Sequence, residues 1–170
     1  MKIVITGPES TGKSRLTKAL AEHFNSPFVA EYARQFLEQS GGQYTKDDLV
    51  TIAKGQIALE EEVGKASTDL ILCDTSLEVV RIWSEWKYKT CDRFILDEAL
   101  KRKPDLFILL KPDIPWIPDP LRENPDNREE IYEKYQEVLK EYDTRVIEIG
   151  DYWQARLHQA IGEISSLISA

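Results

Sequence analysis

Cysteine is scarce in this chain. Only Cys73 and Cys91 occur, with no C-x-x-C pair and no zinc-like spacing. Cys73 lies in the apolar run "DLILCD" and reads as a small core residue, while Cys91 lies in a polar loop and reads as incidental. A fold that needs no disulfide suits a reducing compartment, so the cytoplasm is the expected location. Positive charge is short as well: 22 Lys and Arg stand against 30 Asp and Glu, a net charge of −8. The deficit argues against a nucleic-acid surface, which needs a basic face to displace counterions, but not against a local basic pocket. No apolar run is long enough to cross a bilayer, and the N-terminus runs directly into a strand-like stretch. Neither a membrane association nor a signal peptide is expected. His23 and His158 stand alone on helical stretches, and neither is assigned a catalytic role.

What is present is regular. Of 170 residues, 42% are apolar and 31% charged, the profile of a soluble globular protein, and the length fits one domain spanning 1–170. Strand-like runs occur at 2–7, 27–32, 69–74, 105–111 and 144–150. Helical patterns lie between and after them, at 13–24, about 46–65, 76–87, 93–102, 127–142 and 152–168. Short apolar strands alternating with helices predict an α/β fold, with a five-stranded parallel sheet covered by helices on both faces. In such sheets ligands bind beyond the carboxyl ends of the strands. That geometry draws attention to Gly7, Glu31 and Asp74, each at the end of a strand-like run.

Gly7-Pro8-Glu9-Ser10-Thr11-Gly12-Lys13-Ser14 follows the first run and opens the first helix. It matches the P-loop, G-x-x-x-x-G-K-S, and so predicts a P-loop NTPase that binds ATP. The two glycines permit backbone conformations that a Cβ penalises, so successive N–H groups can face an anion. The helix N-terminus adds its own unpaired donors. Lys13 supplies a cation for the β- and γ-phosphates, and the Ser14 hydroxyl suits Mg²⁺. An ordinary loop would need four constrained positions to coincide by chance.

Asp74 closes an apolar strand, as a Mg²⁺-holding Walker B aspartate does, and the series Asp74-Thr75-Ser76 would also serve as a helix cap. Both can be true of one strand end. Glu31 could accept a proton from a substrate hydroxyl or hold a sugar diol, or it could be a first-turn glutamate favoured by the helix dipole. Both readings stand on the residues alone. The stretch 111–128, "KPDIPWIPDPLRENPDNR", holds five of the eight prolines. A helix cannot run through it, and a long connection of this kind is usually functional. It reads as a lid that brings Arg122 and Arg128 to the transferring phosphoryl group. Trp83 and Trp86, one turn apart, suit either core packing or a stacking platform. A guanine-reading N/T-K-x-D on a late strand is lacking, and the compact outline is that of a small-molecule kinase.

Together, "GPESTGKS", "AEYARQFL", "LCDTSLEVVRIW", "PDIPWIPDPLRE" and "GDYWQAR" resemble the ribosylnicotinamide kinase domain of the bifunctional NAD-biosynthesis (NadR-type) proteins, over residues 3 to about 165. The resemblance implies an NMP-kinase-like fold and transfer of the ATP γ-phosphate to the 5′-hydroxyl of nicotinamide riboside. It places Lys13 and Ser14 at the phosphate and Mg²⁺ positions, Glu31-Tyr32-x-Arg34 on the substrate side and Asp74 at the third strand, with Glu31 as the base for the acceptor hydroxyl and Asp74 as the alternative base. Trp116, Asp119 and Arg122 fall in the lid. Trp116 or Trp83 would stack on the cationic pyridinium. The family often reads Asp-Thr-Asp where this chain has Asp74-Thr75-Ser76, and Pro120 replaces a frequent glycine. The chain has no room for adenylyltransferase or DNA-binding domains, so the mononucleotide and not NAD is the expected product. Kinases for other nucleosides or nucleotides, and non-catalytic nucleotide-dependent regulators, share enough of this pattern to stand as alternatives.

Overall fold

The computed structural model describes residues 1–66 and 69–169. Among these residues runs a parallel sheet of β1 (Lys2–Thr6), β2 (Phe28–Val29), β3 (Ile71–Asp74), β4 (Leu106–Leu110) and β5 (Arg145–Ile149), in spatial order β2-β3-β1-β4-β5. Helices α1 (Lys13–Phe24), α2 (Tyr32–Gln39), α3 (Asp48–Ala66), α4 (Leu77–Tyr88), α5 (Arg93–Lys101), α6 (Arg128–Leu139) and α7 (Trp153–Ile168) pack around it. The fold is the expected α/β P-loop type.

Strand alternation divides the core in two. Ile3, Ile5, Leu106, Ile108 and Leu110 point to one face, where Leu16 and Leu20 of α1 and Ala160 and Ile164 of α7 cover them. Val4, Cys73, Phe107 and Leu109 point to the other, against α3, α4, α5 and α6. Burial on both faces is why these strands are apolar throughout and not alternating. Cys73 is a core residue as expected, and Cys91 packs half-buried against the same cluster.

Register sets the site. Ile5 pairs with Asp74, Thr6 with Leu109 and Val29 with Cys73, so the strands finish along one edge. The P-loop leaves the central strand there, flanked by the ends of β3 and β4.

One expected strand is corrected. The run 27–32 pairs only over Phe28–Val29, and residues 32–39 form α2. The apolar pattern suggested a longer strand, but tertiary packing favours the helix. Gln56 of α3 accepts from the Tyr32 N–H at 2.9 Å. The Tyr32 ring lies so close over Gly55 that a Cβ there would sit 2.1 Å from it. The expected helix over 127–142 also ends early, at Leu139, before a 3₁₀ turn over Lys140–Tyr142.

Candidate active site

The P-loop is shaped by two glycines. Gly7 has φ +138°, and a Cβ on it would come 2.7 Å from the Leu110 carbonyl oxygen, so only glycine lets the loop leave β1 this close to β4. Gly12, at φ +86°, forms the left-handed N-cap of α1. Within the loop, the Thr11 hydroxyl and the Lys13 ammonium both donate to the Pro8 carbonyl, at 2.9 and 2.8 Å. Lys13 is therefore folded back over its own loop.

The P-loop, Glu31, Arg34, Trp83 and Arg122 enclose a cavity of about 310 Å³. Five predicted parts of the site, drawn from four separate stretches of the sequence, therefore share one space. Glu31 reaches it as the N-cap of α2, with an extended backbone and no side-chain bond to the helix. It is a half-buried residue aimed at the cavity, not a first-turn surface glutamate. Burial pushes its carboxyl up to about 7 against the pull of Lys13, with Asp74 adding to the rise.

Asp74 lies beneath the cavity at 5% exposure. Ser14 lies near enough to pull its pKa down, and its Oδ1 is buried without a hydrogen-bond partner among the described residues. Burial raises this carboxyl, while Ser14 and Lys13 oppose the rise. The capping alternative is answered by Ser76, which occupies the N-cap of α4 and turns its hydroxyl to Glu60 at 2.5 Å. A hydroxyl and an orphaned carboxylate oxygen, side by side, form a hard oxygen donor set that fits Mg²⁺.

The predicted aromatic and lid positions separate. Trp83 faces the cavity and stacks on Tyr44, centroids 5.4 Å apart. Trp116 lies outside the cavity lining, with the Arg122 and Arg128 guanidinium groups each 5.7 Å from its ring. Tyr32 packs on α3 and Asp119 pairs with Arg34 at 3.1 Å, so both support the cavity without lining it. Arg128 donates to the carbonyls of Ser10 and Ile114, at 3.4 and 3.0 Å, and ties the 111–127 connection to the P-loop.

Comparison with known proteins agrees with this geometry. An AAA domain family model matches residues 2–156. The chain belongs to that family. It is 27% identical over 158 residues to the trifunctional NAD biosynthesis/regulator protein NadR of Escherichia coli K12, covering 88% of this chain and 38% of that protein. NadR of Salmonella typhimurium LT2 is 26% identical over 158 residues, with the same coverage. The chain thus spans well under half the length of these relatives. Among solved structures, a NadR protein in complex with NR superposes with a TM-score of 0.79 at 22% identity, over 99% of this chain and 51% of that one. Deoxyadenosine kinase from M. mycoides with bound dCTP gives 0.61 at 16%, over 98% and 100%. The fold is one this chain shares with the NadR protein and with deoxyadenosine kinase.

In this AAA-family domain, three contributors have no counterpart among the residues singled out from sequence. Arg156 of α7, 2% exposed, donates to the carbonyls of Asp151 at 2.7 Å, Thr11 at 3.1 Å and Lys111 at 3.2 Å, and pairs with Asp113. One guanidinium thereby fixes the P-loop to the ends of β4 and β5. Glu78, 2% exposed, accepts from the Ser76 N–H, and burial pushes its carboxyl up to about 7. Gln56 holds the Tyr32 amide and so the seat of Glu31. A charge on an apolar helical stripe is the one signal that could have flagged Glu78. Arg156 stands in the quoted "GDYWQAR" but shows its role only once the strand ends meet.

Proposed function

We propose that this chain is an ATP-dependent phosphotransferase whose acceptor is the 5′-hydroxyl of nicotinamide riboside, with nicotinamide mononucleotide as the product. The observation that carries the reading is the shared cavity: a P-loop, a carboxylate of raised pKa and an aromatic wall enclose one space. The likeness to NadR proteins, one of them solved with NR, supports the same acceptor class.

The chemistry follows from positions. P-loop N–H groups and Lys13 bind the phosphates, Lys13 leaving the Pro8 carbonyl to do so. Ser14 and Asp74 would hold Mg²⁺, which supplies charge neutralisation at the β- and γ-phosphates. Glu31 accepts the proton of the acceptor hydroxyl, and its raised pKa matches a base working near neutrality. Trp83 offers a face to a cationic ring, and the surrounding carboxylates favour a positively charged acceptor. The lid over 111–128 excludes water and holds Arg122 at the cavity, where its charge stabilises the transferring phosphoryl group. A cytoplasmic location fits this role.

The test is ADP release with nicotinamide riboside and a panel of common nucleosides. Release that depends on nicotinamide riboside above the others is expected. Release on a different nucleoside would reassign the acceptor, and release independent of every acceptor would overturn the kinase reading.

A further inference from the structure

Glu9 sits where a phosphate-binding loop least wants an anion. A carboxylate close to a triphosphate is repelled unless its charge is engaged elsewhere. Here it is engaged. The Glu123 N–H donates to both carboxylate oxygens at 3.2 Å, and the Asn124 N–H donates to one of them at 3.0 Å. Two successive lid amides thus form a small nest around the P-loop carboxylate. Next to it, Ser10 accepts from the Ile117 N–H at 2.9 Å and from Arg122 at 3.3 Å. Two adjacent P-loop side chains therefore grip the lid on either side of Arg122.

The same lid residues are held from the acceptor side. The Glu123 carboxylate accepts from the Tyr44 hydroxyl at 2.9 Å and from Lys87 at 3.1 Å, and Asn124 Oδ1 accepts from Trp86 Nε1 at 3.2 Å. Side chains of 123 and 124 thus face the acceptor wall while their amides face Glu9. The intervening arm is stiffened by proline, with Pro112, Pro115, Pro118 and Pro120 preceding Arg122. A stiff arm moves as a unit, so freeing its far end displaces the arginine beside it.

We propose that Glu9 is a latch: it closes the lid by accepting the amides of Glu123 and Asn124, and acts as a positioning residue for Arg122 and not as a nucleotide ligand. The catalytic part of this inference rests on the kinase reading; the latch itself does not. In the intact protein, Glu9→Ala removes both acceptor oxygens and Glu9→Gln leaves one. Hydrogen exchange at the 123 and 124 amides is expected to speed about tenfold or more in the Ala variant, with Gln intermediate, because bonds to a charged acceptor are lost. With ATP and nicotinamide riboside, the Ala variant is expected to release more ADP per mononucleotide formed, since water enters under an unlatched lid. Because Glu9 is itself only half-buried and lies outside the core, both variants should fold, and thermal melting checks this. Unchanged exchange in the Ala variant overturns the latch, as does a tenfold loss of ATP affinity with the amides still protected. If the unsubstituted protein transfers phosphate to no acceptor, the kinase reading falls and the exchange rates alone decide the latch.

Discussion

Changing Glu31 to Gln keeps the shape of the side chain and removes its charge, which separates a base from a structural residue. Glu31 makes no side-chain capping bond to α2, so the helix should lose little. Its effect on stability should depend on pH. Burial raises the folded carboxyl from 4.5 to about 7, so the folded state holds the proton more tightly than the unfolded chain. The contribution to stability is complete below the unfolded value and is lost as pH rises through the folded one. The Gln variant has no such loss, so its stability relative to the parent should climb between about pH 4.5 and 7. Activity should move the other way. A positioned base contributes roughly 10²–10⁴ in rate, or about 2.7–5.4 kcal/mol of barrier. The assay is kcat and KM for nicotinamide riboside from pH 5.5 to 8.5, with chemical melts over the same range. Parent turnover should rise as Glu31 loses its proton near 7, and that limb should vanish in the variant. A loss in KM alone would place Glu31 on the sugar or the ring. Full turnover in the Gln variant, with the parent's pH profile, would refute the assignment.

Lys13→Ala should remove at least about 10² of turnover while leaving the melting curve close to the parent's, because among the described residues the ammonium bonds only the Pro8 carbonyl of its own loop. A folded variant with most of its activity would sink the phosphate role. Asp74→Asn should raise the Mg²⁺ concentration for half-maximal activity about tenfold or more while ATP affinity changes less, since the P-loop amides remain. An unchanged Mg²⁺ titration would leave Asp74 with no metal role. Gly55→Ala should push the Tyr32 ring off α3, costing about 1–3 kcal/mol in thermal or chemical melts and lowering turnover through Glu31. Stability equal to the parent's would show that the ring moves freely and that Glu31 is seated by other contacts.

How much of this was legible in the sequence depends on how local each signal is. The P-loop could be read because its chemistry is contiguous: two glycines, a lysine and a serine act within one turn and one helix end. The placement of Asp74 was legible because it ends an apolar strand, a position that topology carries to the same edge as Gly7. The point where β2 gives way to helix α2 was hidden because "PFVAEY" carries a strand-like apolar pattern, while the forces that end the strand come from α3. Gln56 and the bare face of Gly55 lie more than twenty residues downstream of Tyr32, and an isolated glycine inside a helical pattern was the only trace they left. Trp116 and Trp83 are equivalent as letters. Their difference arises because the proline-rich connection stacks Trp116 against two arginines and leaves Trp83, on α4, facing the cavity. Arg156 is the extreme case, since its carbonyl partners belong to Thr11, Lys111 and Asp151 and carry no side-chain signature at all. Groups that act on ligands must bring their own chemistry and so can be read from residue type. Groups that hold those residues in place act through backbone atoms, and only the assembled strand ends reveal them.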